Sequence, residues 1–299
     1  MELRQLEYFV AVAEEANFTR AAERVHISQS GVSAQVRALE NELGAELFDR
    51  SGRSATLTPA GKAALPHARA ALSAADDLRE AVDEVNGLVR GRLTAGMIKG
   101  CEVKPWFAAL AGFHREHPGI DIELREDNSD VLIAEIRAGS SDVALVGIAG
   151  EPPAGLAAEV IISEGLAAIV DPTHPLAGRK AGIRLAELVT YPVVALPKGT
   201  GIRSVLDQAC AQAGLTPRIA LEASAPTAVA DLGARGLGVA VLSRSMADGL
   251  AGAKDNVAAI PITGIDVPAL LAVVWRPQCS PAVAAFVAHC REAFSLSDI

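Results

Sequence analysis

The 299 residues carry 27 Lys and Arg against 36 Asp and Glu, a formal net charge of −9, and half of them are apolar. That apolar fraction excludes a disordered chain, and 16 Pro with 26 Gly are too few for a fibrous or low-complexity protein. The length calls for more than one domain with a sizeable core, while the acidic balance by itself speaks against a nucleic-acid binder.

Leu3, Leu6, Phe9, Val10 and Ala13 recur at helical spacing and predict a first helix ending near Asn17. Phe18 to Val25 reads as a second helix with Thr19 as its N-cap. His26-Ile27-Ser28 is long enough only for a turn. Ser28 can cap a third helix from Gln29 to Leu43, which Gly44 stops as a C′ residue. Arg50 to Thr58 reads as a turn flanked by short strands. Thr58-Pro59 then pairs an N-cap with a proline at the first helical position, opening a helix that runs past Pro66 to about Val89. Along it Ala64, Ala68, Ala71, Ala75, Leu78, Val82, Val85 and Val89 alternate at spacings of 4 and 3, the signature of a coiled-coil seam. A helix buried in a globular domain is the alternative. However, Arg69, Asp76, Asp77, Arg79, Glu80, Asp83 and Glu84 keep the opposite face wet. A lone Ala-rich seam buries little area, so a second copy, and hence a dimer, is expected.

From Gly91 short β-branched runs alternate with helices. Strands are predicted at Leu93–Ile98, Ile120–Arg125, Val143–Ile148, Val193–Leu196, Ile219–Glu222, Val239–Leu242, Val257–Ile260 and Leu270–Trp275. Helices are predicted at Lys104–Glu116, Val131–Ala138, Gly201–Ala213, Thr227–Arg235 and Ser280–Phe294. The alternation implies parallel sheets with helices on both faces, and its length fits two small α/β lobes with a cleft between them.

Two helices joined by a three-residue turn, here within residues 18–43, form a helix-turn-helix pattern. On the helix from Gln29, the stripe Val32, Val36, Leu39 and Leu43 would pack inward. Gln29, Ser30, Ser33 and Arg37 fall on another stripe, where short polar side chains can meet base edges and phosphates. Spacing alone leaves an ordinary solvated face equally open. The residues add to it: FTRAAERVHISQSGVSAQVRALENELGAELFDRSGRSATLTPAG, Phe18 to Gly61, resembles the signature of LysR-type transcriptional regulators. It includes Ala21-Ala22, Val32-Ser33, Leu39-Glu40, Leu47-Phe48 and Arg50, and the rest of the chain is similar in length and layout.

The resemblance implies an α/β multidomain protein. A winged helix-turn-helix domain (1–58) and a linker or dimerisation helix (59–89) would precede a two-lobed, periplasmic-binding-protein-like effector domain (90–299). Lobe I would comprise about 90–162 and 266–299, and lobe II about 163–265. It implies that Gln29 to Leu43 is the recognition helix and Arg50–Thr58 the wing. Gln29, Ser30 and Ser33 would face bases or nearby phosphates of double-stranded DNA, Arg53 would reach the minor groove, and Thr19, Arg20 and Arg50 would touch phosphates. Ala34 departs from relatives with a long polar side chain there. Its methyl could meet only a thymine methyl, which shifts weight to DNA shape. A homodimer assembling into a dimer of dimers, with RNA polymerase as a further partner, completes the expectation.

Clefts in open α/β sheets form beyond the carboxyl ends of strands, where helix N-termini point. Lys99-Gly100-Cys101, Asp127-Asn128-Ser129 and Lys198-Gly199-Thr200-Gly201 qualify, and the resemblance puts all three around the effector. Lys99 and Lys198, with Arg203 nearby, favour a small anion, most simply a carboxylate, although each lysine taken singly reads as a solvated surface residue. Many relatives carry small hydroxyl residues after the first strand, so Lys99 and Cys101 depart from that pattern. Cys101 also raises a second reading, a redox-sensing thiol activated by Lys99.

Other classes fit less well. The four cysteines, Cys101, Cys210, Cys279 and Cys290, form no CxxC pair, and the six histidines are scattered, with His114 and His117 lacking a carboxylate or cysteine at metal spacing. No metal or cofactor is expected. There is no GxSxG, P-loop or strand-following GxGxxG, so no enzyme is expected. A plain small-molecule binding protein is undercut by the helical N-terminal residues. No basic and apolar leader opens the chain, and the longest uncharged run, Pro277 to Cys290, is 14 residues and broken by Pro281. A cytoplasmic protein that does not enter the membrane is expected. The −9 divides into −3 for residues 1–58, −2 for 59–88 and −4 for 89–299. Arg20, Arg37, Arg50 and Arg53 map to the inferred DNA side, which predicts weak non-specific binding and reliance on the specific site.

Overall fold

The computed structural model describes residues 1–50, 54–85, 91–179, 181–252 and 259–295, without the side chains of 77, 79–81, 83–85 and 251–252. Arg53, Val89 and the start of the strand expected from Val257 lie outside the described residues, as does the side chain of Val85. Two compact units result, Met1–Gly91 with Glu135–Ser141, and Arg92–Ala134 with Asp142–Ile299.

In the first, helix α1 (Leu3–Glu15) is followed by α2 (Phe18–Arg24) and α3 (Gln29–Leu43). The cap of α2 is Asn17 rather than Thr19, because Asn17 is extended and its Oδ1 accepts from Thr19 N at 2.8 Å and Arg20 N at 3.1 Å. Ser28 Oγ caps α3 through Gly31 N at 3.1 Å, and Gly44 at φ +67° ends it. Phe9, Val12, Ala21, Ala22, Val32, Val36, Leu39 and Leu47 make the core with Phe48, whose ring meets Phe9 and Phe18 edge-on at 5.5 Å. The inward stripe of α3 stops at Leu39. Leu43, on the helix's final residue, is exposed and does not pack as predicted.

Strands β1 (Phe48–Asp49) and β2 (Thr56–Leu57) pair antiparallel as the base of a hairpin. Thr58 Oγ1 accepts from Gly61 N at 3.0 Å and caps helix α4 (Pro59–Val85), which includes Pro66. Gly61 is required there, since a Cβ would stand 2.1 Å from the Leu47 carbonyl oxygen. The seam of α4 divides. Ala68 is buried in this unit's own core and Ala64 and Ala71 pack partly against it, because α4 lies along α1 and its small residues permit close approach. Leu78 and Val82 are 67% and 54% exposed.

The second unit contains β3 (Gly91–Ile98, counted from its first residue), α5 (Lys104–Glu116), β4 (Ile120–Asp127), α6 (Ser129–Ala138, shared between units), β5 (Val143–Ala149), β6 (Ala157–Glu164), β7 (Leu166–Ile169), β8 (Ile183–Arg184) and α7 (Leu185–Leu188). It continues with β9 (Val193–Ala195), α8 (Gly201–Gln212), β10 (Ile219–Glu222), α9 (Pro226–Ala234), β11 (Val239–Ser243), α10 (Arg244–Gly252), β12 (Ala259–Thr263), β13 (Ala269–Trp275) and α11 (Pro281–Ser295). One sheet has the order β4-β3-β5-β13-β6 and the other β10-β9-β11-β7-β12-β8.

The sheets are mixed rather than parallel. β13 enters antiparallel between β5 and β6, and β7 runs antiparallel to both β11 and β12. The chain crosses between the sheets twice, from β6 through Gly165 directly into β7, an extended run not predicted from the sequence, and back from β12 into β13. Trp106, Phe113 and Phe286, edge-on at 5.3 and 5.5 Å, anchor α5 and α11 beside the first sheet.

Candidate functional site

The third helix presents Gln29, Ser30, Ala34 and Arg37 exposed and Ser33 half-buried, opposite the buried Val32, Val36 and Leu39. Arg37 forms no ion pair among the described residues. Two other predicted cations of this face are paired. Arg20 pairs with Glu15 at 2.5 Å, and Arg50, 30% exposed, pairs with Glu40 at 2.7 Å and lies 5.1 Å over the Phe18 ring. Arg50 therefore braces the hairpin base, supplying a counter-charge to the buried Glu40 carboxylate. Glu40 also accepts from Leu47 N at 2.9 Å and Phe48 N at 3.2 Å, tying β1 to α3. Thr19 is exposed.

In the second unit a cavity of about 800 Å³ opens between the two sheets, at the ends of β3 and β5 and the N-termini of α6 and α8. Lys99, Gly100, Asn128, Ser129 and Thr200 line it, with Lys104, Glu102, Glu164 and an apolar wall that includes Ile98, Ile202, Met246 and Leu270. Ser129 Oγ accepts from Gly147 N at 3.0 Å, Thr200 Oγ1 donates to the Pro197 carbonyl at 2.8 Å, and Glu164 accepts from Ser245 N and Oγ at 2.7 and 2.6 Å. The rims meet where Asp130 N donates to the Gly199 carbonyl at 3.1 Å and Asn128 Nδ2 to the Lys198 carbonyl at 3.5 Å. Gly201 permits the close approach of α8 to β5, since a Cβ there would lie 2.2 Å from the carbonyl carbon of Gly147.

Three predicted cavity residues stand elsewhere. Lys198 is exposed and off the lining, with only its carbonyl turned to the rim. Arg203 is 5% exposed and consumed by Asp207 at 2.9 Å, the Leu196 carbonyl at 3.2 Å and Glu222, so its charge props β9 and β10 against α8. Cys101 is also off the lining. Burial pushes its thiol above the ordinary range, and Glu126 and Glu102 push the same way against one lowering hydrogen bond from Val103 N. Lys99 does not activate it. Its ammonium sits 2.7 Å from Asp127, and that hydrogen bond, with a second from Asn128 N, holds the Asp127 carboxyl below its usual range. The wall from β11 and α10, with Ser243, Ser245 and Met246, was missed because no motif marks it.

Residues 3–62 match the bacterial regulatory helix-turn-helix protein, lysR family, and residues 86–295 match the LysR substrate binding domain. The chain belongs to the LysR family. The RuBisCO operon transcriptional regulator of Allochromatium vinosum is 34% identical over 247 residues, 81% of this chain and 80% of that protein. The HTH-type transcriptional regulator ShiR of Corynebacterium glutamicum is 34% identical over 278 residues, 92% of each chain. Among solved structures, a full-length OxyR variant from Pseudomonas aeruginosa has a TM-score of 0.73 at 26% identity, covering 100% of this chain and 96% of that one. Full-length CbnR complexed with target DNA has a TM-score of 0.57 at 27% identity, covering 98% of this chain and 100% of that one. This LysR regulator thus joins a DNA-binding helix-turn-helix to an effector-binding domain, and its relatives regulate transcription. No described helix is long and apolar enough to cross a membrane.

Proposed function

We propose that this LysR regulator responds to a small monoanion with an apolar body, bound in the cavity of the second unit, and that binding alters how the protein holds or bends DNA. The observation that carries the reading is the cavity itself, where the N-termini of α6 and α8 converge opposite an apolar wall. With Lys198 and Arg203 off the lining, Lys99 paired, and the Asp130 and Val131 N–H groups of α6 taken by the Gly199 carbonyl and Asp130 Oδ1, Lys104 and the first N–H groups of α8 are left to balance Glu102 and Glu164. That supply suits one carboxylate and not a polyanion. Ser129, Asn128 and Thr200 would orient it. The division into 1–58, 59–89 and 90–299, action in the cytoplasm, a homodimer that pairs again into a dimer of dimers, and contact with RNA polymerase belong to the same reading.

The test is a thermal-shift screen of the full chain against apolar carboxylates and their uncharged amides, followed by gel shifts on DNA upstream of the chain's own gene. A carboxylate that stabilises the protein and changes the gel shift is the expected result. Amides binding as tightly as acids would overturn the anionic reading. Thiol sensing through Cys101 is the less favoured reading, because Lys99, which would activate it, is paired with Asp127 at 2.7 Å and burial raises the Cys101 thiol.

A further inference from the structure

The last residue of α5 and the one after it, Glu116 and His117, meet His289 of α11 so that one donor atom from each lies within 4.8 Å of the others. His289 Nε2 is 3.5 Å from Glu116 Oε2, and the two imidazole rings stand 6.0 Å apart at 86°. Phe113 holds both, with ring centroids 4.7 Å from His117 and 5.8 Å from His289. Gly112 leaves the room for this: a Cβ there would approach His289 Nδ1 to 3.3 Å, so Nδ1 faces α5 while Nε2 points to Glu116. Sequence spacing hid the cluster, since its third member comes from the far end of the chain.

We propose that Glu116, His117 and His289 bind one borderline divalent cation of the zinc, cobalt and nickel class. Two imidazoles with a carboxylate are the donor set such ions prefer, whereas calcium and magnesium require oxygen donors throughout. The imidazoles are half-buried and fixed by packing, while the exposed Glu116 can close the remaining distance and leave coordination positions to water. Bound metal would pin the end of α5 to α11.

The test is calorimetric titration of the tag-free full chain with Zn²⁺ alone and Co²⁺ alone. One equivalent should bind, with no displacement by excess Mg²⁺, and Co²⁺ should show no sulfur charge-transfer band. His289→Gln and His117→Gln should each weaken binding at least tenfold, and Glu116→Gln, at an exposed position that cannot threaten folding, at least threefold. Unchanged affinity in His117→Gln and Glu116→Gln would overturn the site, as would a thiolate band in the Co²⁺ spectrum.

Discussion

Gln29 and Ser33 stand one turn apart on the exposed side of α3, with Ala34 beside them and Arg37 a turn further on. Few long side chains reach outward here, so each polar group matters. The double replacement Gln29→Ala and Ser33→Ala should cost about 1–3 kcal/mol for each base-edge interaction removed, read as weaker operator binding by fluorescence anisotropy. Unchanged affinity would remove α3 from the reading role. This polar stripe was legible because helical periodicity separates it from Val32, Val36 and Leu39. Glu40 was not legible. An acid next to Leu39 reads as wet, and only the β1 backbone, brought back by the turn at Gly44, gives its carboxylate two N–H donors and Arg50 a reason to stay. The same holds for Arg203: a cation beside a predicted cleft invites a ligand role, and partners at Asp207 and Glu222 cancel it.

At the scale of elements, α4 serves two purposes along one stripe. The spacing of 4 and 3 residues was visible in the sequence, but spacing is blind to which surface a seam meets. Ala64 to Ala71 meet α1, and Leu78 lies beyond that packing. Leu78→Glu is expected to weaken dimerisation at least tenfold in sedimentation equilibrium while helicity is retained. A dimer unaffected by that charge would move the interface elsewhere. Helices α1, α2 and α4 are also tied electrostatically. Glu14 bonds Arg24 at 2.6 Å and Arg69 at 2.9 Å. Burial alone would raise the Glu14 carboxyl, yet these two arginines outweigh it and hold it below the ordinary value. A carboxyl lowered by folding adds stability that is complete above its unfolded value, about 4.3, and lost as pH falls through the lowered one. Glu14→Gln should therefore flatten the acid limb of thermal stability below about pH 4. An acid limb identical to that of the unaltered chain would show that the two arginines contribute nothing there.

At the scale of the whole molecule, alternation of strands and helices announced two α/β lobes but misjudged their sheets. Every predicted strand with described residues was found, whereas β6, β7 and β8 were missed. AAEVIISEGLAAI was not read as strands, although the resemblance had set the change of lobe near residues 162 and 163, because Gly165 alone divides the run into two. The net charge of −9 also takes its meaning at this scale. Arg20, Arg24 and Arg50 each stand beside an acid on a neighbouring element, which reduces the local positive charge of the first unit.

The placement of β13 bears on how the second unit can be made. Its sheet has β5 and β6 on either side of a strand that comes more than a hundred residues later, and β13 is the sole partner of β6 there. During vectorial synthesis the sheet around β7, β9 and β11 has all its strands available first, while β6 waits with an open edge for Ala269 to Trp275 to emerge. A chain cut short before Ala269 would not be a smaller version of this regulator. It would be one with a strand-width gap in the first sheet and an edge exposed to aggregation.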